Sequence, residues 1–311
     1  MNDRASHAQP GVLSDPTTFA EYLTFTLIET PRPDAVDGIA DDIIGIAKSI
    51  GQKDPSARLS MTLGISNNGW KQLLPGYEMP QALMPFEAMH NGDRAFPSTP
   101  GDLFCMIKSE RMDLNFQAAK YLRQALTGVA ELIEDVQGFK YLDNRDMIDF
   151  VDGTENPADH ERAEPVLVGE EQQIYSGGSY LTVQMYTDRQ HLWDAQTTEQ
   201  QEKIIGRTKM DDVELDDDTK PASAHNAKSK VEQEGREIKM FRQNRPFGNA
   251  MEHGTVFVGF ARSPEVLATS LRQMITADEN GDYDRLLDFV DAKTGNNYFV
   301  PPQTFLEQFA T

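Results

Sequence analysis

Cysteine is almost missing from this chain. Cys105 stands alone among 311 residues, so no disulfide can form within the molecule and stability has to come from packing. Long apolar runs are missing too: none approaches the roughly 20 residues that a membrane-spanning helix needs. The opening MNDRASHAQPGVLSDP lacks both the basic-then-apolar order of a secretory signal and a twin arginine, so a cytoplasmic location is expected. Positive charge is scarce, with 29 Lys and Arg against 50 Asp and Glu for a net −21, and a surface of that sign repels a phosphate backbone. Neither nucleic acid nor a membrane is an expected partner, and the carboxylates are expected to serve mainly solubility. Several catalytic signatures are absent: no Walker loop, no G-x-G-x-x-G, no G-x-S-x-G, no H-E-x-x-H, no C-x-x-C. Nucleotide-binding, hydrolase and zinc-protease readings lose their main support. A calcium loop fails as well, because Asp278, Asn280 and Asp282 are followed by Tyr283 where Gly is needed and by Phe289 where a bidentate Glu is needed.

What is present is an ordinary globular composition, 39% apolar and 25% charged, long enough for two domains. After a polar, proline-bearing arm, LTFTLIE reads as a strand and residues 35 to 51 as an amphipathic helix ending on Gly51. An alternating strand (ARLSMTLGIS), a short helix (NNGWKQLLP), a loop from about 75 to 100 and a strand (DLFCMIKSE) follow, and residues 111 to 135 form the longest helical pattern. The second half repeats the order, with GGSYLTVQMYT as a strand, helices between 189 and 205, EIKMFRQN and TVFVGFAR as strands, and a helix opening at Ser263-Pro264. The expected fold is α+β: two ferredoxin-like domains with antiparallel sheets and peripheral helices, of the dimeric α+β barrel type. The expected divisions are a mobile N-terminal arm over 1–20, a first domain over 21–145 and a second over 146–311. The acidic stretch from about 211 to 230 reads as a long loop.

Four places could carry chemistry. In DFVDGTENPADH, Phe150 and Val151 can anchor a loop that Gly153, Asn156 and Pro157 turn sharply, which leaves the Asp152 carboxylate projecting; a plain Asp-Gly turn accounts for the same dipeptide. His225 lies in PASAHNAKSK with no second histidine at zinc spacing. A metal there would need ligands from elsewhere, and a porphyrin supplies four nitrogens by itself. Arg242 and Asn244 are two apart in an expected strand and so share a face, where a cation and an amide could polarise a small oxygen ligand, or could simply face water. Arg207, in IIGRTK, is a candidate partner for an anion such as a haem propionate, with an ordinary surface pair as the alternative.

Taken together, FVDGTENP, GGSY, IIGRTK, the isolated His225, FRQNRPFG, TVFVGFARSP and YDRLLDFV occur in an order and at separations that resemble the B-type dye-decolourising peroxidases. The resemblance runs from about residue 20 to the end. The family's G-x-x-D-G signature falls on Asp149 to Gly153, with Asp149 in place of the leading glycine. The resemblance implies a haem peroxidase that reduces H2O2 through an oxoferryl intermediate and oxidises dyes, phenols or similar donors. It implies one haem b per chain, His225 as proximal iron ligand, and Asp284 hydrogen-bonded to its imidazole. Asp152 would be the catalytic acid and base, with Arg242 and Asn244 beside it. Phe257 would form an apolar wall, and Gly153, Thr154 and Arg207 would lie at the cofactor. It also implies a homo-oligomer, dimer or larger. Some members are packaged in shells through an extended C-terminal tail; with Thr311 directly after FLEQFA, packaging is the lesser expectation here. Two rivals differ in class: a haem carrier without a peroxidase role, and a cofactor-free small-molecule binder or scaffold. For Trp70, Trp193 and the tyrosines core packing is the expectation, with surface oxidation of bulky donors through one of them as the alternative.

Overall fold

In β1 (Phe19–Leu27) successive side chains point to opposite faces: Ala20 and Tyr22 join one buried cluster, Leu23 and Phe25 another. That alternation separates the interior of a barrel from an outer layer of helices. The computed structural model describes residues 3–29, 31, 32 and 34–310. The first half supplies β1, β2 (Ser60–Ile65), β3 (Leu103–Ser109) and β4 (Ala130–Phe139) in the neighbour order β4-β1-β3-β2. The second supplies β5 (Ser179–Asp188), β6 (Arg245–Gly248), β7 (His253–Ala261) and β8 (Asn296–Val300) in the order β6-β7-β5-β8. All neighbours are antiparallel. The ring closes at two seams, where β6 meets β4 through Phe247 and Gly138, and β8 meets β2 through Phe299 and Ile65.

On the outer face of the first half, α1 (Ala35–Gly51) and α2 (Met112–Ala125) bury Ile39, Ile43, Leu114 and Leu122 against Leu23, Phe25 and Leu63. Each such side chain contributes about 1.5–3 kcal/mol, and all of them belong to one buried cluster on that face. The second half carries α3 (Thr198–Ile205), α4 (His225–Ser229) and α5 (Pro264–Ile275). A Thr197/Gln200 capping box opens α3, and Ser263 caps α5. Among the described residues no helix is long and apolar enough to cross a membrane.

The mixed α+β, antiparallel reading holds. Several local expectations do not. The helix expected over 111–135 ends at Ala125, and residues 130–139 form β4, because a turn at Thr127-Gly128 is followed by residue-by-residue alternation of exposure, the strand period. The loop expected over 75–100 contains a small hairpin of Met89–Asn91 with Arg94–Phe96, and the acidic loop ends in α4. The arm expected to be mobile folds against the barrel, although its first two residues, like Thr311, lie outside the described ones. Short helices span Asp3–His7 and Pro10–Leu13, and Val12 joins the barrel core. The buried Gln9 amide donates to the carbonyls of Leu63 and Pro301 and accepts from Leu63 N. A buried amide satisfied at both ends fixes the chain around it.

Candidate active site

Where the first half packs α1 and α2 against its sheet, the second half keeps a cavity of about 350 Å³, measured as space open to the centre of a water molecule. Ligand sites are typically clefts of this order or larger, mostly apolar with a few placed polar groups. Apolar wall is supplied by Phe257 on β7, by Leu267, Leu271 and Met274 on α5, and by Ile238 and Met240. All nine residues singled out above except Asp284 line it: Asp152, Gly153, Thr154, Arg207, His225, Arg242, Asn244 and Phe257.

Two asparagines pin the Asp152 loop to the rest of the molecule. Asn144 accepts from Asp152 N (3.0 Å) and donates through Nδ2 to Asp152 O (2.8 Å), which fixes the main chain on both sides of the side chain. Asn156 exchanges two hydrogen bonds with the main chain of Arg242 (2.8 and 2.9 Å), tying the far end of the loop to the strand that carries the arginine. Asn244 then reaches across: its Nδ2 donates to Asp152 Oδ2 (3.0 Å), while its Oδ1 accepts from Val258 N (3.0 Å) on β7. That last bond explains why the expected strand EIKMFRQN is broken. Phe241–Arg242 and β6 pair with β7 in one register, but between them an asparagine side chain takes a ladder N–H. Side-chain alternation survives, so Arg242 and Asn244 still share the cavity face. The Arg242 guanidinium makes no hydrogen bond or ion pair among the described residues.

Asp149, in place of the signature's leading glycine, adopts φ +72°. Aspartate tolerates this left-handed region better than most residues because its short side chain can bond locally. Its carboxylate pairs with Lys209 Nζ (3.3 Å) and its carbonyl accepts from Arg145 Nη1 (2.8 Å). Gly153 also has positive φ, +87°. Thr154 Oγ1 donates to Asp212 Oδ2 (2.6 Å), and Arg207 grips the same carboxylate through Nε (2.6 Å) and Glu155 through Nη1 (2.9 Å). With a further bond from Nη2 to Asp212 O, Arg207 uses three of its five N–H groups on protein and keeps two at the cavity rim.

On the opposite wall, His225 opens α4. Its Nδ1 lies 2.7 Å from Oδ2 of Asp284, a fully buried carboxylate whose Oδ1 accepts from Leu286 N. The carboxylate fixes the tautomer with the proton on Nδ1 and leaves Nε2 as the ring nitrogen for a metal. The helix is seated by Ser270 Oγ donating to Ser229 O, by Lys228 on Asp278, and by Asn226 packed against Gly206. Gly206 ends α3 at φ +92°, and a Cβ there would stand 1.9 Å from Asn226 Oδ1. Only a glycine lets the two helices meet so closely.

Sequence reasoning missed Asn144, the tie that Asn156 makes to Arg242, and two carboxylates of the cavity, Asp146 and Asp188. Burial pushes Asp146 well above the usual carboxylate range, and pushes Asp188 up to about 7 against the opposing pull of His253. Of the two readings for the tryptophans, core packing is the one found: Trp70 and Trp193 are each 1% exposed, Trp70 in an aromatic cluster with Tyr175, Phe299 and Phe305, Trp193 against Phe150 and Phe289.

The donor set itself decides what could bind. Among the described residues no group of three or more His, Cys, Asp or Glu could hold a metal ion, so a metal on His225 has to bring its other ligands with it. One imidazole with a carboxylate behind it, apolar walls, and an acid, an amide and a cation grouped at one end suit a haem. Fold and site therefore define the class as a haem protein built on a closed α+β barrel. Family models agree: residues 9–140 match the Dyp-type peroxidase N-terminal model and residues 143–305 the C-terminal one. A dye-decolorizing peroxidase of Rhodococcus erythropolis is 40% identical over 299 residues, 95% of this chain and 87% of the relative. The encapsulated DyP-type peroxidase of Mycobacterium smegmatis superposes with a TM-score of 0.93 at 39% identity, covering 97% of this chain and 98% of that one. A variant of DypB from Rhodococcus jostii RHA1 in complex with heme gives 0.92 at 36% identity, covering 97% and 99%. The chain belongs to the Dyp-type peroxidase family and is a haem peroxidase, an oxidoreductase. Nothing in these comparisons favours a haem carrier.

Proposed function

We propose that Asp152 is the acid and base of this peroxidase, that Arg242 and Asn244 assist it, and that His225 holds the iron of one haem b per chain. Haem supplies the iron at which the O–O bond is broken and through which oxidising equivalents pass to the donor. Asn244 occupies Asp152 Oδ2, so Oδ1 is the oxygen that takes a proton from H2O2 and returns it to the departing oxygen. Arg242, with its guanidinium unengaged, stabilises the negative charge that develops as that oxygen leaves. Asp284 keeps the His225 imidazole oriented and electron-rich. Phe257 and the α5 side chains exclude water, and the two remaining N–H groups of Arg207, with Gly153 and Thr154 beside it, suit a propionate at the rim. The donors are dyes, phenols or similar one-electron reductants. The observation that carries the reading is the bond of Asn244 to Asp152, which presents one carboxylate oxygen and holds the other.

We infer that the two halves are ferredoxin-like units meeting near residue 145; the strand orders β4-β1-β3-β2 and β6-β7-β5-β8, one drawn from each half, support that division. A homo-oligomer is the assembly we infer, with sedimentation of the holoprotein as its check. The catalytic reading is tested by Asp152→Asn. The Soret band should remain that of the wild type, while the spectral change on mixing with H2O2 slows by roughly 10²–10⁴-fold. An unchanged rate would overturn the role of Asp152.

A further inference from the structure

The strand that presents Arg242 and Asn244 to the cavity turns Gln243 and Arg245 the other way, into the barrel, where they are 2% and 6% exposed. What they meet there is the N-terminal segment. Arg245 donates through Nε (2.9 Å) and Nη2 (2.6 Å) to Thr17 O. Gln243 Nε2 donates to the carbonyls of Gly11 (2.9 Å) and Val12 (2.8 Å), and Lys108 Nζ donates to those of Ser14 and Asp15 and to Gln243 Oε1. Main-chain carbonyls of residues 11–17 thus satisfy three buried side chains. The remaining Arg245 nitrogen, Nη1, points back toward the site: it donates to Asn144 Oδ1 (3.3 Å) and to Asn244 O (3.1 Å). Asn144 makes both main-chain hydrogen bonds to Asp152, and Asn244 makes the side-chain one.

We propose that Arg245 is a positioning residue for the Asp152 carboxylate, acting through Asn144 and Asn244 and itself held by the main chain of residues 11–17. The proposal rests on the reading of Asp152 as the acid and base. The two asparagines come from different elements, one at the start of the loop and one on the strand, and a single planar guanidinium joins them. Planarity matters: with Nε and Nη2 fixed on Thr17 O, Nη1 is aimed at the Asn144 amide oxygen and at the Asn244 main-chain carbonyl, which the flexible ammonium of a lysine would not do. Room for it is made at the barrel seam by Gly138, where a Cβ would stand 2.8 Å from Arg245 Cβ. Burial favours loss of the Arg245 proton, while Tyr22, Asp152 and Glu110 favour its retention, so the cation belongs electrostatically to the Asp152 environment as well.

The test is a double-mutant cycle on the holoprotein, with hydrogen exchange of the same proteins as a second readout. In the wild-type background Arg245→Gln should slow the H2O2-driven spectral change by roughly tenfold or more, since small displacements of a reacting group carry penalties of that size. In the Asp152→Asn background the same substitution should change the rate by less than about twofold, and in both the donor KM should hold. Exchange at the amide of Asp152 should quicken. Equal losses in both backgrounds, or unaltered exchange at Asp152, would overturn the proposal. If Asp152→Asn by itself leaves the peroxide rate unchanged, it is the acid-base reading that fails, and the two failures are thereby distinct. Should Arg245→Gln not fold, Asn144→Ala carries the test, because it removes the bond to Asp152 O while leaving the bonds from Arg245 to Thr17 and Asn244. It is expected to give the same background-dependent loss, and equal losses would again overturn the proposal.

Discussion

Asp149 holds a left-handed conformation where the related signature has glycine, and it does so with its side chain engaged by Lys209. Two small effects oppose each other: glycine would relieve backbone strain of about 1 kcal/mol, and would lose a half-exposed ion pair contributing at most about 1 kcal/mol. Asp149→Gly should therefore alter unfolding free energy by less than about 1 kcal/mol, whereas Asp149→Val, with a β-branched side chain at positive φ, should lose roughly 2 kcal/mol or more. Urea denaturation checks both. At the other wall, Asp284→Asn keeps the shape but removes the charge behind His225, so iron affinity should fall by roughly 10–100-fold, read by competition for haem with apomyoglobin. Retained affinity would show that the carboxylate only orients the ring.

Among the elements, α4 depends most on its neighbours. Five residues do not make a stable helix alone, so its position comes from the bond that Ser270 of α5 donates to Ser229 O, from Lys228 on Asp278 and from Asn226 against Gly206. Gly206→Ala would meet both a strained φ and the Asn226 side chain. It should lower stability by roughly 2 kcal/mol or more and weaken haem binding by displacing His225, while leaving the Asp152 loop in place. Calorimetry with and without haem separates the two effects, and equal losses in both states would contradict a specific role for α4. Element-level expectations succeeded where the pattern was local: α1 spans Ala35–Gly51 as its periodicity predicts, and the period of two put Arg242 and Asn244 on one face. They failed where a partner far along the chain decides. Asn156 serves Arg242, Arg245 serves Thr17, and no local periodicity carries either contact. Asp152 and His225 were found by resemblance of the ordered motifs, not by spacing, and only the fold shows them lining one cavity.

Across the whole molecule, antiparallel strands from both halves share one ring whose seams are single residue pairs, which is why the barrel's closure was not legible in strand patterns. A net charge of −21 makes the fold sensitive to buried carboxylates. Glu21, 1% exposed on β1, is pushed up to about 7 by burial and by Asp135. Between about 4.5 and 7 the folded protein keeps a proton that the unfolded chain has released, so stability falls as pH rises through that window. Glu21→Gln should accordingly stabilise the protein by roughly 2 kcal/mol at pH 8 and by little at pH 4. A gain that does not depend on pH would show that ionisation is not the cause.

The central claim joins one cavity, one histidine and one acid in peroxide chemistry. Stopped-flow absorption of the haem-loaded wild type and Asp152→Asn, mixed with H2O2 at neutral pH, tests it most directly. The account predicts a wild-type-like resting Soret band in both, with a fast spectral change in the wild type that slows by at least about a hundredfold in the variant. Equal rates in the two proteins would contradict it.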